Sequence, residues 1–143
     1  MANVIIAIAT LMIGFVLVTY GAYNSYHSAK RTEYSTRVTE SFNRLQSYIG
    51  LTMQDLGRLP STTELDAQRF TRENGFGLTY THGPQTGGSP TYYWVCAQAP
   101  RSDWMVEAFQ KIASSRPNTV VGNACDSSVA PTAATISVTM RIS

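Results

Sequence analysis

Charge is scarce in this sequence, and what there is lies unevenly. Asp, Glu, Lys and Arg make up 14% of the 143 residues, against roughly 25% in an average soluble domain. None of them precedes Lys30. A formal net charge of +2 is too small for the basic stripe that holds a nucleic acid, so nucleic acid is not an expected partner. Histidine occurs only at His27 and His82. Neither has a carboxylate or cysteine at ligand spacing, so no metal site is expected and each reads as a solvated surface side chain. The nine acids are scattered, and the closest pair, Glu64 and Asp66, suits the start of a helix as well as any acid–base role. No serine stands in a nucleophile-elbow pattern. Gly87-Gly88 lacks the lysine and following helix of a phosphate loop and reads as a turn. The expectation is a protein that is not an enzyme, with no catalytic residues, no cofactor and no small-molecule substrate.

What the chain does have is an apolar start. Val4 to Tyr23 reads VIIAIATLMIGFVLVTYGAY, 20 residues without a charge. As a helix such a run is about 30 Å long, the thickness of a bilayer's hydrocarbon core. Tyr20, Tyr23 and Tyr26 gather at its end, where amphipathic rings settle at the lipid–water boundary. Gly14 and Gly21, with nearby Ala and Thr, would let a neighbouring helix approach closely. The segment therefore reads as a transmembrane anchor over residues 1–26, with an α+β domain over 27–143. Two other readings compete. A cleaved signal peptide would want a basic start and small residues before the cut, and Met1, Ala2 and Asn3 supply no basic side chain. A buried core helix seldom goes 20 residues uncharged. Lys30, Arg31 and Arg37 behind the span favour a cytoplasmic domain. The cysteine pair and the Ser/Thr/Gly-rich stretches favour the periplasm, and that is the reading taken.

The helix is expected to continue past the membrane. Tyr34, Val38, Phe42, Leu45, Ile49, Met53 and Leu56 follow one another by steps of three or four residues, one apolar stripe on a helix. Gly57 and Pro60 stop it. Ser61-Thr62-Thr63-Glu64 has capping-box spacing and predicts a short second helix, closed by Asn74-Gly75. Phe76, Leu78 and Tyr80 alternate with smaller residues as a strand does. A loop is expected from His82 to Thr91, then a strand over Tyr92 to Ala97. Ser102 caps a third helix with Asp103 in its first turn. Thr119 to Val121 is a short strand, and Ile136, Val138, Met140 and Ile142 mark the last. The fold class is α+β: one long helix, then a small antiparallel sheet with short helices.

Cys96, in the middle strand, and Cys125, before the last strand, can close a loop of about 30 residues, a gain of roughly 3–4 kcal/mol in the chain-entropy model. Two buried free thiols are the alternative. Tyr92, Tyr93 and Trp94 are candidate interface residues, since aromatics are common interface anchors. Strand alternation allows only Tyr93, or Tyr92 with Trp94, to face outward.

An uncharged helix that continues as an amphipathic one, then a small sheet with a C-terminal cysteine pair, resembles a type IV pilin in organisation. The fifth residue is Ile5 where a classical pilin has Glu, and no basic leader ending in Gly precedes the apolar run. The outline is similar to the PilM-type small inner-membrane proteins of type IVb thin-pilus systems, found in conjugative operons. That resemblance implies a non-enzymatic part of the pilus base or pilin transport apparatus, anchored in the bacterial inner membrane. Its partners would be other pilus or assembly-machine proteins, or further copies of itself. A tip-type minor pilin, incorporated in a pilus, is one alternative. A periplasmic binding module with a retained signal anchor is another.

Overall fold

The computed structural model describes residues 2–85, 89–127 and 134–143, with side chains from Ile5 onward. Helix α1 runs Ala2–Leu56, 55 residues, about 80 Å at 1.5 Å per residue. It is long and apolar enough to cross a membrane. Every side chain from Ile5 to Tyr26 is exposed, and His27 is the first to be partly covered. Beyond that point the expected stripe forms. Val38, Phe42, Leu45 and Ile49 are buried, and Tyr34 and Met53 pack partly against them. Each fully buried apolar side chain contributes about 1.5–3 kcal/mol. Leu56, the last of the stripe, stays 39% exposed, because the helix ends there and Gly57 turns the chain at φ 65°.

Four strands follow: β1 Thr79–Pro84, β2 Tyr93–Pro100, β3 Thr119–Gly122 and β4 Thr135–Ile142. They form one antiparallel sheet in the order β1-β2-β4-β3. Register explains the core. Tyr93 pairs with Ile142, Val95 with Met140, Ala97 with Val138 and Ala99 with Ile136, so one face of the two central strands is a continuous apolar surface. Helix α1 lies on that face. Helix α3, Asp103–Ser115, joins it through buried Met105, Ala108, Phe109 and Ile112. Ser102 caps α3 as expected, its hydroxyl accepting from the Met105 N–H at 3.3 Å.

Three local expectations need correction. Ser61 and Glu64 do interact: the Ser61 N–H and hydroxyl donate to Glu64 Oε2 at 2.7 and 3.0 Å. They close a turn, however, and α2 begins later, at Ala67–Thr71, capped by Asp66. Phe76 is not a strand residue. Gly75 and Leu78 bond to each other in both directions, which leaves Phe76 at a turn tip with φ 55°. There its ring lies 3.7 Å beneath the Arg37 guanidinium, and its carbonyl accepts from Tyr34 Oη at 2.7 Å. The loop expected from His82 starts later too, since His82, Gly83 and Pro84 pair with Val95, Trp94 and Tyr93. Gly87 and Gly88 lie outside the described residues.

Candidate functional site

Among the described residues, most of the exposed large hydrophobic side chains lie in the apolar half of α1. Ile8 is 50% exposed and Leu11 75%, values that would be costly in water for a whole helix. Two of its hydroxyls are satisfied within the helix. Thr10 Oγ1 donates to the Ile6 carbonyl at 2.8 Å and Thr19 Oγ1 to that of Phe15 at 2.9 Å, so no side-chain hydroxyl of these two residues needs water. A Cβ added at Gly14 or Gly21 meets nothing within 4 Å. Both glycines lie on open helix surface, free to receive a neighbour. Tyr20 and Tyr23 are likewise exposed, and the Tyr23 ring stands 4.1 Å from that of His27.

At the junction with the domain, α1 meets the start of α3. Arg31 Nη1 donates to Glu107 Oε2 at 3.0 Å, and the Tyr34 and Trp104 rings lie 4.7 Å apart. Neither Arg31 nor Trp104 stood out in the sequence as a contact. The only signal was that Trp104 falls in the first turn of a capped helix.

The second candidate surface is the face of the sheet turned away from α1. Cys96 and Cys125 are joined there, with Cα atoms 5.6 Å apart. The bridge brings the segment after β3 across the sheet. Ser137 Oγ donates to the Ala124 carbonyl at 2.6 Å, and the Asp126 N–H to Thr139 Oγ1 at 2.8 Å. Asp126 is the hub. It accepts from Arg141 Nε at 2.9 Å and from the Tyr92 hydroxyl at 3.0 Å, and the Arg141 guanidinium lies 5.0 Å over the Tyr92 ring. Burial, then the Asp126 carboxylate beside it, raises the Tyr92 pKa above its ordinary value. Sequence reasoning missed Asp126 and Arg141. An acid immediately after a cysteine, and a basic residue on the polar face of the last strand, were the available signals.

The aromatic trio therefore divides. Tyr93 is fully buried and belongs to the core, so the outward-Tyr93 option is excluded. Tyr92 and Trp94 lie on the other face, half-covered. Trp94 rests on Gly83, where a Cβ would come within 2.9 Å of its ring, and its Nε1 donates to the Pro84 carbonyl at 3.0 Å. The glycine at 83 is thus explained by close approach of the indole.

His82 is not the solvated residue expected. Its ring stacks on Phe70 at 3.5 Å, and Nδ1 lies 2.7 Å from the Tyr93 hydroxyl. Burial lowers its pKa and raises that of Tyr93, because a low-dielectric site disfavours the charged form of each. Elsewhere Arg58 and Ser61 hold the exposed Glu64 carboxyl at about 2. Among the described residues no three His, Cys, Asp or Glu side chains come together. Two of the perturbed groups, His82 and Tyr93, share a hydrogen bond, and Glu64 holds Arg58 and Ser61; each contact ties neighbouring segments together. What the arrangement offers is surface: an apolar helix and a sheet face stiffened by a disulfide and an ion pair. Comparison with protein-family models, curated proteins and solved structures gives no match for the chain.

Proposed function

We propose that this protein is a non-enzymatic, inner-membrane-anchored component of a type IV pilus assembly or thin-pilus base apparatus, acting through protein–protein contacts. The observation that carries the reading is the division of α1. One unbroken helix has every described side chain up to Tyr26 exposed, then packs Val38, Phe42, Leu45 and Ile49 into a sheet domain. Water does not support the first half, and a bilayer does. The Cys96–Cys125 bridge supports placing the domain in the oxidising periplasm. Gly14 and Gly21, open on the helix surface, suit contact with other membrane helices.

The same continuous helix suits a minor pilin, whose apolar half would move from membrane to filament. One experiment separates the readings. Deleting the gene in its host should abolish pili or DNA transfer, and the protein should remain in alkali-washed membranes after pili are sheared off. Recovery in the sheared filaments makes it a minor pilin. Normal pili and normal transfer in the deletion strain would remove the pilus reading, and full release by alkali would remove the anchor.

A further inference from the structure

A cleft of roughly 380 Å³ opens where α1 leaves its exposed stretch and α3 begins. On one wall it has Asn24, His27 and Arg31 of α1, and on the other Asp103, Trp104 and Glu107 of α3. We infer that this cleft is a headgroup site for a phospholipid carrying both a phosphate and a primary ammonium, such as phosphatidylethanolamine. The inference rests on the membrane reading of α1 and adds the chemistry of the lipid.

Height along the helix is the first argument. With Tyr23 at the hydrocarbon boundary, His27 lies about 6 Å and Arg31 about 12 Å further along the axis. The headgroup layer occupies about 5–7 Å outside the hydrocarbon core. The His27 end of the cleft therefore lies inside that layer, where a lipid headgroup resides, and the Arg31 end faces outward from it. Charge is the second argument. Asp103 and Glu107 outnumber Arg31 among the formal charges of the walls, so a simple anion is a poor match and a zwitterion a good one. Asn24 and His27 supply donors for phosphate oxygens on the membrane side, and Arg31 a further donor beyond them. The two carboxylates accept from an ammonium, and the Trp104 face, held by Tyr34 at 4.7 Å, favours a cation. The site is also incompletely satisfied by the chain itself. Arg31 gives one hydrogen bond, from Nη1 to Glu107, while its Nε is buried without a partner. Among the described residues Asp103 has no ion pair, and Glu107 pairs only with Arg31.

The test uses the full chain in a mild detergent, with native mass spectrometry counting retained lipid. Phosphatidylethanolamine, phosphatidylglycerol and soluble phosphoethanolamine are the probes. One phosphatidylethanolamine should be held about tenfold more tightly than phosphatidylglycerol, which has the phosphate but no ammonium. The Asp103→Asn, Glu107→Gln variant should lose that preference, and Arg31→Gln should weaken both lipids. The Cys96–Cys125 bridge, read by mass, reports that each variant is folded. Equal retention of the two lipids, or a preference unchanged in the double variant, overturns the site. Displacement by submillimolar phosphoethanolamine would assign the cleft to a soluble aminoalkyl phosphate and overturn the lipid. Alkaline extraction is read in parallel. A protein that stays integral but shows no preference loses only this inference, whereas one that is extracted loses the anchor and the site with it.

Discussion

Nδ1 of His82 lies 2.7 Å from the hydroxyl of Tyr93, and the same imidazole stacks on Phe70 at 3.5 Å. This contact ties the first strand, the second strand and α2 together through one titratable ring. Burial lowers the folded-state pKa below the ordinary 6.5, so the unfolded chain binds the proton first as the pH falls. Stability from this group is complete above about pH 6.5 and is lost as the pH drops from there towards the lower folded value. Thermal melts of the full chain between pH 8 and 5 should show a falling midpoint in that window. His82→Gln should flatten the slope there, at the cost of a lower midpoint at pH 8. An unchanged slope in the variant would mean that another group controls it.

The bridge between Cys96 and Cys125 spans 29 positions, and closing a loop of that length contributes roughly 3–4 kcal/mol in the chain-entropy model. Alkylation of the denatured, unreduced protein from the envelope should label neither cysteine. The Cys96→Ala, Cys125→Ala variant should melt well below the wild type and expose the segment around Asp126 to protease. Complete labelling of both thiols would place the domain in a reducing compartment.

Asp126 holds Arg141 and Tyr92 at once, with only 9% of its side chain exposed. Removing the acid leaves a guanidinium, itself one-third exposed, and a phenol without their acceptor. Asp126→Ala should therefore destabilise by about 2 kcal/mol. Arg141→Leu alone should cost a similar amount, and the two changes together less than their sum. Strict additivity in denaturant melts would show that the pair contributes nothing through its contact.

The long helix and the last strand were legible because their periods are unambiguous: four buried residues at helical spacing from Val38 to Ile49, and Ile136 to Ile142 in strict alternation. The second strand was legible as a strand over Tyr92 to Ala97, but which of its faces is core was not. Tyr93 and its neighbours are apolar on both sides because both faces are covered, one by α1 and the other by the Cys125 segment, so alternation alone could not tell core from surface. Ser137 and Thr139 show the same effect, since they are polar yet fully buried. Their hydroxyls face the crossing segment, to which the Ser137 hydroxyl donates and from which that of Thr139 accepts. His82 was misread because nothing local announces a stacking partner twelve residues away. The cleft between α1 and α3 brings together residues more than 70 positions apart, which no local pattern encodes.

Gly14 offers the most direct test of the proposed membrane anchor. Nothing lies within 4 Å of a Cβ placed there, so Leu fits the isolated chain without strain and improves local helix propensity by up to about 1 kcal/mol. A loss of function in Gly14→Leu then reports on a neighbour in the membrane, not on folding. On the proposed pilus reading, assembly or DNA transfer should fall at least tenfold while the protein accumulates to wild-type levels with its disulfide formed. Gly21→Leu should act in the same direction, because Gly21 lies two turns further along nearly the same face. His82→Ala, away from this face, should instead lower stability through the Phe70 and Tyr93 contacts. Normal assembly in the Gly14→Leu, Gly21→Leu double variant would show that no helix packs closely on this face.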